Sequence, residues 1–350
     1  MLALTLRRDP ASQSHIRTGI TGLAQPIVHL VNPLTDLFAG GEQHALQLYD
    51  LLKDQGDVRL WTEAAPDPRI HEYPIRRIRP SLLRFPRGGT IVFVGVFFPI
   101  GRWLRFSRPE RIVLVYNTPS RDALHQRYRR FQQMFPGKVE IAYVSKLVER
   151  AAGLPGEVPY APMNLARFEP NDDPAGHRQR PFTIGRLSRA VGPKHHPGDP
   201  ALYRRLAKQG YRVRLMGVPA EMAAQLHDVA GVELLAQGTE DAADFLRSLD
   251  CLFYRTADDL VESWGRIVCE AMACALPVVC GRSGGYAELI DQGRNGFLFD
   301  DEEEALRDLE ALRADRALRK GVGAAARRTI EAFYSPARAA AQRAFYLARK

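Results

Sequence analysis

The stretch ESWGRIVCEAMACALPVVCGRSGGYAELI, Glu262 to Ile290, sets a mostly apolar helical run against a short apolar strand and a glycine pair. Trp264, Ile267, Val268, Ala271, Met272 and Ala275 recur at the i, i+3, i+4, i+7 spacing of one buried helix face. Ser263 precedes that pattern and is the candidate N-cap, its hydroxyl able to accept from an orphan backbone N–H. Leu276-Pro277 stops the helix, because the residue before a proline is pushed out of the helical region. PVVC (277–280) then reads as a short strand buried on both faces, as in a parallel sheet.

Two carboxylates bracket this segment. Glu262 falls just before the helix and Glu270 two turns into it, a rise of roughly 12 Å at the helical repeat. That is too far for a shared proton, so a paired acid/base site is not expected. It is about the length over which a sugar and a ribose could be gripped separately. Arg266 and Glu270, spaced i, i+4, can equally form an ordinary exposed salt bridge. Spacing alone leaves both readings open.

Outward from this block the same alternation continues. QPIVHLV (25–31), DVRLWT (57–62), GTIVFVG (89–95), RIVLVYN (111–117) and KVEIAYVS (138–145) read as strands. Helical patterns follow at 42–56, 121–135 and 145–152. The polar, proline-bearing stretch NLARFEPNDDPAGHRQRP (164–181) lacks periodicity and is read as a linker. Beyond it, strands FTIGRLS, YRVRLMG, VELLA, DCLFYR and GFLF alternate with helical runs near 200–209, 219–229 and 240–248. Strands alternating with helices predict parallel α/β sheets. The division expected is a Rossmann-like domain over 20–168, a second over 178–333, and a helix over 334–350 after the break at Ser335-Pro336.

The chain has 350 residues, enough for two domains, with 45% hydrophobic and 25% charged content typical of globular proteins. No apolar run approaches the ~20 residues of a membrane span. The first residues, MLALTLRRDPASQSHIRTG, lack the apolar core and cleavage site of a signal peptide. Cys251, Cys269, Cys274 and Cys280 form no CxxC pair, so buried free thiols in a reducing cytoplasm are expected rather than a metal site. A net charge of +9 favours an anionic partner without choosing among nucleic acid, an anionic membrane face and a nucleotide-linked substrate.

Four stretches have the composition of an anion site. FAGGE (Phe38–Glu42) places Gly40 and Gly41 at a helix start, where unhindered N–H groups and the helix dipole suit a phosphate. GRLSRAVGPK (185–194) puts Arg186, Arg189 and Lys194 after the first strand of the second half, at a carboxyl end where α/β folds bind ligands. ESWGR and GRSGGYAE (281–288) repeat the strand-end glycine arrangement. Each alone is an ordinary turn or solvated loop; together they predict a phosphate cleft between the halves.

The series GG-E, GRLSR…K, E-x7-E and EAMA…PVV…GGYAELI…NGFL resembles the retaining GT-B glycosyltransferases of the family-4 type. The likeness is strong from about 182 to 300 and rests in the first half chiefly on Gly40-Gly41. It implies two Rossmann-like domains facing each other across a donor cleft, and a UDP- or GDP-linked sugar as donor substrate with no metal. It further implies that Arg186 and Lys194 hold the donor pyrophosphate, and that Glu262 contacts the sugar and Glu270 the ribose. Gly40 and Gly41 would approach from the first domain, and Ser263, Trp264, Gly265 and Arg266 would meet phosphate or sugar at the helix start. Transfer with retention at the anomeric carbon is the reaction expected. With no carboxylate well placed as nucleophile, front-face substitution, the leaving phosphate taking the acceptor proton, is the expected route.

Three departures stand out. Arg186 and Lys194 are eight positions apart where relatives have about five, so AVGP must bulge and His195 or Arg189 could share the lysine's role. Where relatives carry a sugar-touching histidine, VLVYNTPS offers Asn117, with His125 on the next helix as the alternative. Ala275 stands where glycine is usual. On the acceptor side, RDALHQRYRRFQQMF aligns Leu124, Tyr128, Phe131 and Phe135 beside Arg127, Arg129 and Arg130, and RRIRPSLLRFPR (76–87) is similarly basic and aromatic. Both fit ordinary packing or an acceptor glycan, lipid or small molecule brought near an anionic membrane. The competing functions are a basic nucleic-acid-binding protein, for which no recognition motif is present, and a catalytically silent GT-B scaffold.

Overall fold

The computed structural model describes residues 25–118, 120–170 and 180–349. The expected lead-in at the N-terminus and the middle of the 164–181 linker lie outside the described residues.

The first sheet is built from β1 (Ile27–Val31), β2 (Asp57–Thr62), β3 (Ile75–Arg77), β4 (Thr90–Val94), β5 (Arg111–Tyr116) and β6 (Val139–Tyr143), in the order β3-β2-β1-β4-β5-β6. Helices α1 (Gly40–Leu52) and α2 (Arg121–Met134) connect its strands, and α3 (Lys146–Ala152) follows β6. The second holds β7 (Thr183–Leu187), β8 (Arg212–Met216), β9 (Val232–Leu235), β10 (Cys251–Tyr254), β11 (Val278–Gly281) and β12 (Phe297–Phe299), ordered β12-β11-β10-β7-β8-β9. Its helices are α4 (Asp199–Lys208), α5 (Ala220–Leu226), α6 (Ala242–Arg247), α7 (Arg266–Ala273), α8 (Glu302–Ala314) and α9 (Arg316–Phe333). Every strand pairing is parallel and both sheets share one order, so each reverses at its first strand. Ligands of open parallel sheets bind at the carboxyl ends beside that reversal. Strand β3 was not expected: a three-residue basic edge carries too little alternation to be read.

Helix α7 begins two residues later than its apolar spacing suggests. Glu262 N donates to Ser283 O at 3.2 Å and Gly285 N donates to Glu262 O at 2.8 Å, so this strip is held extended. Gly265, at φ +73°, then turns the chain into the helix. Ser263 is therefore not the cap; its carbonyl instead accepts from Ser145 Oγ of the first domain at 2.7 Å.

The segment taken as a linker is partly packed. Phe168 is buried, and Arg167 pairs with Asp241 at 2.7 Å. Helix α10 (Pro336–Leu347), capped by the Ser335 hydroxyl, returns to the first domain and lies against α1 and β1. Tyr346 is fully buried there, and Arg111 Nη1 donates to Phe345 O at 2.6 Å. One core runs through both domains, with Trp264 stacked on Phe333 and Tyr160 packed against both at the crossing. All four cysteines are free and buried.

Candidate functional site

The carboxyl ends of both sheets face a cleft with two joined lobes. One, about 490 Å³, extends into the second domain past Gln237, Gly238, Asp241 and Glu270. The other, about 560 Å³, reaches the first domain at Asn32, Gly41, His44, Phe97 and Asn117. Gly40, Arg189, Lys194, Glu262, Gly265 and Arg266 line both and mark the junction.

Lys194 Nζ donates to Glu262 Oε2, and Tyr254 OH donates to the same oxygen at 2.7 Å. Burial alone would raise the Glu262 carboxyl; the Lys194 charge and hydrogen bond, with that of Tyr254, outweigh it and hold the pKa below the ordinary value. Glu270 behaves oppositely. It is 3% exposed, and burial pushes its pKa up despite Arg266. Its Oε1 lies 2.9 Å from Arg266 Nε yet accepts no well-aligned hydrogen bond. The i, i+4 pair anticipated as an exposed salt bridge thus exists, but its carboxylate is buried in the wall of the second-domain lobe. A buried carboxylate held by one poorly aligned donor keeps lone pairs for a hydroxyl pair.

Arg186 departs from expectation. Alternation along β7 turns Leu187 to the cleft and Arg186 to the other face, where it is fully buried and lines neither lobe. Its guanidinium carbon sits 4.5 Å from the Tyr254 ring centroid, and Nη2 donates to Lys194 O. Both contacts support the partners of Glu262, so Arg186 positions the site from behind. The bulge required by the eight-residue spacing is present: Gly192–Lys194 forms a short 3-10 turn, and Ala190 N donates to Gln237 Oε1 at 3.1 Å. It carries Arg189 into the cleft. His195 is buried among Ser188, Arg189 O and Gly217 O, with burial lowering its pKa to about 4, and it lines neither lobe.

Glycines set how closely the walls approach. A Cβ on Gly265 would fall 2.2 Å from Tyr286 Cδ1, and the left-handed φ there already favours glycine. Gly41 sits against the Asn117 amide, whereas Gly40 has open space. Asn117 lines the first-domain lobe; His125 instead contacts Ala152 O at 2.7 Å and lies outside both lobes. Trp264 and Ser263 line the first-domain lobe beside Arg266, whose Nη1 reaches across to Gln43 Oε1 at 3.1 Å.

Several lining residues had no sequence signal. His44, one turn after Gly40-Gly41, is 3% exposed with an unpartnered Nε2, and burial with the Arg266 charge lowers its pKa to about 4. Asn32 follows β1 directly, the one cue that could have found it. Phe38 reaches over Gly238 from the opposite domain.

Comparison with known proteins agrees with this architecture. Residues 204–329 match the family described as glycosyl transferases group 1. A segment is 31% identical over 199 residues to a D-inositol 3-phosphate glycosyltransferase of Geodermatophilus obscurus, covering 49% of this chain and 42% of that protein. Another is 40% identical over 77 residues to the sulfoquinovosyl transferase SQD2 of Arabidopsis thaliana, covering 21% of this chain and 15% of that one. These matches span less than half the length of the curated relatives. Among solved structures, Anabaena HepE in complex with UDP and glucose superposes with a TM-score of 0.70 at 15% identity, over 91% of this chain and 97% of that one. The fold is GT-B.

Proposed function

We propose that this GT-B chain, with group 1 glycosyl transferase sequence in its second domain, moves a sugar from a nucleoside-diphosphate-sugar to an acceptor hydroxyl with retention. The observation that carries this reading is the placement of Glu262 and Glu270 in one lobe, with Lys194 bonded to the first and Arg266 beside the second. Glu270 accepts from the ribose diol. Glu262, at the lobe junction, accepts from the transferred hexose. Lys194 and Arg189, with the N-terminus of α7, face the pyrophosphate and stabilise charge growing on it as the glycosidic bond breaks. That oxygen then takes the acceptor proton on the same face, so no metal is required. Asn117, Gly40 and Gly41 border the sugar from the first domain.

On this reading the donor is UDP- or GDP-linked, and the acceptor is a glycan, lipid or small molecule of cell-envelope or related glycoconjugate synthesis. The cytoplasm, with contact at the inner membrane face, is the setting proposed. A screen of nucleotide-sugars for thermal stabilisation and slow hydrolysis tests it. One nucleotide-sugar should raise the melting temperature and release nucleoside diphosphate, with activity retained in EDTA. Stabilisation without turnover of any sugar or acceptor would leave a binding scaffold, and loss restored by a divalent ion would refute the metal-free route.

A further inference from the structure

We infer that the first domain docks on an anionic lipid bilayer through the segment between Arg76 and Arg108. From Ile75 to Pro109 the chain carries eight arginines and no aspartate or glutamate. All eight (Arg76, Arg77, Arg79, Arg84, Arg87, Arg102, Arg105 and Arg108) are exposed, and none has a salt-bridge partner among the described residues. Elsewhere arginines are commonly paired, as Arg111 with Glu140 and Arg255 with Asp199. Glu72 and Glu110 bracket the segment, and the nearby Glu63 turns its carboxylate onto Trp103 Nε1 and Gly101 N.

Apolar side chains stand among these cations. Leu82, Leu83, Phe97 and Phe106 are 58%, 68%, 61% and 67% exposed, and they are four of the six large hydrophobics so exposed among the described residues. The leucines project from a closed turn: Arg79 N donates to Arg84 O at 2.7 Å, Arg84 N returns to Arg79 O at 3.1 Å, and Leu83 is held left-handed at φ +55°. Gly88 N donates to Ser107 O at 2.8 Å, tying this turn to the 3-10 helix that ends in Phe106. Phe85 and Trp103 pack beneath, with ring centroids 6.3 Å apart. Leu82, Leu83 and Phe106 therefore stand on hydrogen-bonded backbone within one arginine-rich segment.

Cations beside projecting apolar groups fit a headgroup layer: arginines meet lipid phosphates while leucine and phenylalanine enter the acyl boundary. A nucleic acid would use the arginines and leave the leucines without a role. Phe97 follows the carboxyl end of β4 and lines the first-domain lobe. The inference does not depend on the reaction proposed above.

Co-sedimentation of the full chain with phosphatidylcholine vesicles, with and without phosphatidylglycerol, tests it, with a random single-stranded oligonucleotide as the competing ligand. The chain should bind the anionic vesicles and not the neutral ones. Arg77→Ser and Arg79→Ser should each weaken binding about fivefold, from ~1 kcal/mol per arginine at an anionic surface. Leu82→Ser with Leu83→Ser should weaken it about tenfold or more, with the melting temperature unchanged because both side chains are exposed. Arg328→Ser, an exposed second-domain arginine, should leave vesicle binding within twofold. No binding to anionic vesicles overturns the inference. Equal loss on Arg328→Ser shows net charge alone, and unchanged binding of the leucine variant with oligonucleotide bound as tightly shows a polyanion site; either result also overturns it.

Discussion

The two walls of the cleft are made differently. The second-domain wall is a charged network: Lys194 and Tyr254 both donate to Glu262, Arg186 supports them from behind, and Arg266 flanks Glu270. The first-domain wall is largely neutral, with Asn32, Asn117, Gly40, Gly41 and the aromatic pair Phe97 and Phe98, and its His44 is kept uncharged by burial. A charged wall suits the part of a donor common to many reactions, and a neutral wall suits one that must accept varied hydroxyl groups. If that division is right, the walls should respond differently to substitution.

The largest effect is expected at Lys194. Lys194→Ala removes the cation from Glu262, and an uncompensated buried carboxylate costs about 3–5 kcal/mol of stability. It should also weaken nucleoside-diphosphate binding by about 1.5–3 kcal/mol, the range for charge-assisted hydrogen bonds. Pairing Lys194→Met with Glu262→Gln should recover much of the stability in denaturant melts and none of the nucleotide affinity in calorimetry. Recovery of both would remove Lys194 from the donor site.

The two glutamates come next, and they should move stability in opposite directions. Glu262 has a depressed pKa in the folded chain, so its ionised form stabilises the fold above the unfolded value of about 4.5. Glu262→Gln should therefore destabilise at neutral pH, with the difference from wild type shrinking as pH falls through the depressed value. Glu270 has a raised pKa, so its ionised form is strained by folding, and Glu270→Gln should stabilise at neutral pH. That gain should fade as pH falls through the raised value, where wild-type Glu270 protonates. Glu270→Ala should weaken binding of the free nucleotide, while Glu262→Ala should spare it and impair transfer. Stability shifts of one sign, or equal losses of nucleotide affinity, would dissolve the distinction between the carboxylates.

How much of this could be read from the chain follows the same division. The position of the second wall was legible because Lys194, Glu262, Gly265 and Glu270 lie in strand-end and helix-start stretches, which the fold brings to one lobe. The structure places Arg186 in neither lobe; spacing reports position on β7 but not which way its guanidinium turns. The eight-residue gap hinted at this, since the bulge delivers Arg189 instead. The first wall was nearly silent: Asn32, His44, Phe97 and Asn117 come from separate strand ends and one helix, and only the parallel topology assembles them. Gly265 was seen as permissive, yet the extended strip through Glu262 that delays α7 is a tertiary pairing with Ser283 and Gly285. The basic run at 76–87 was visible, while its exposed leucine turn was not.

A smaller effect should mark the neutral wall. Asn117→Ala should change nucleoside-diphosphate affinity by no more than about 0.5 kcal/mol, as for a substitution away from charged partners. It should lower transfer about tenfold, or ~1.4 kcal/mol in the barrier. A large loss of nucleotide affinity would mean that the first wall grips the donor as strongly as the second.

The smallest effect separates the stability of the charged wall from its chemistry. Behind α7 the chain leaves the helix at Ala275, a non-glycine residue held left-handed at φ +55°. An L-residue with a Cβ pays roughly 1–2 kcal/mol in that conformation, while glycine adds about 0.5–1 kcal/mol of chain entropy to the unfolded state. The turn is held from outside as well: a Cβ on Gly323 of α9 would lie 2.1 Å from Ala275 O, so the two helices pack backbone to backbone here. Ala275→Gly should therefore stabilise the chain by about 0.5–1 kcal/mol, the strain relieved less the entropy added. Nucleotide affinity should stay unchanged, because Ala275 itself lines neither lobe. A variant that melts no higher would show the strain already absorbed by neighbouring backbone. One that melts higher and also binds nucleotide differently would show that the far end of α7 sets the position of Glu270, and the wall's stability and its chemistry would then be one property.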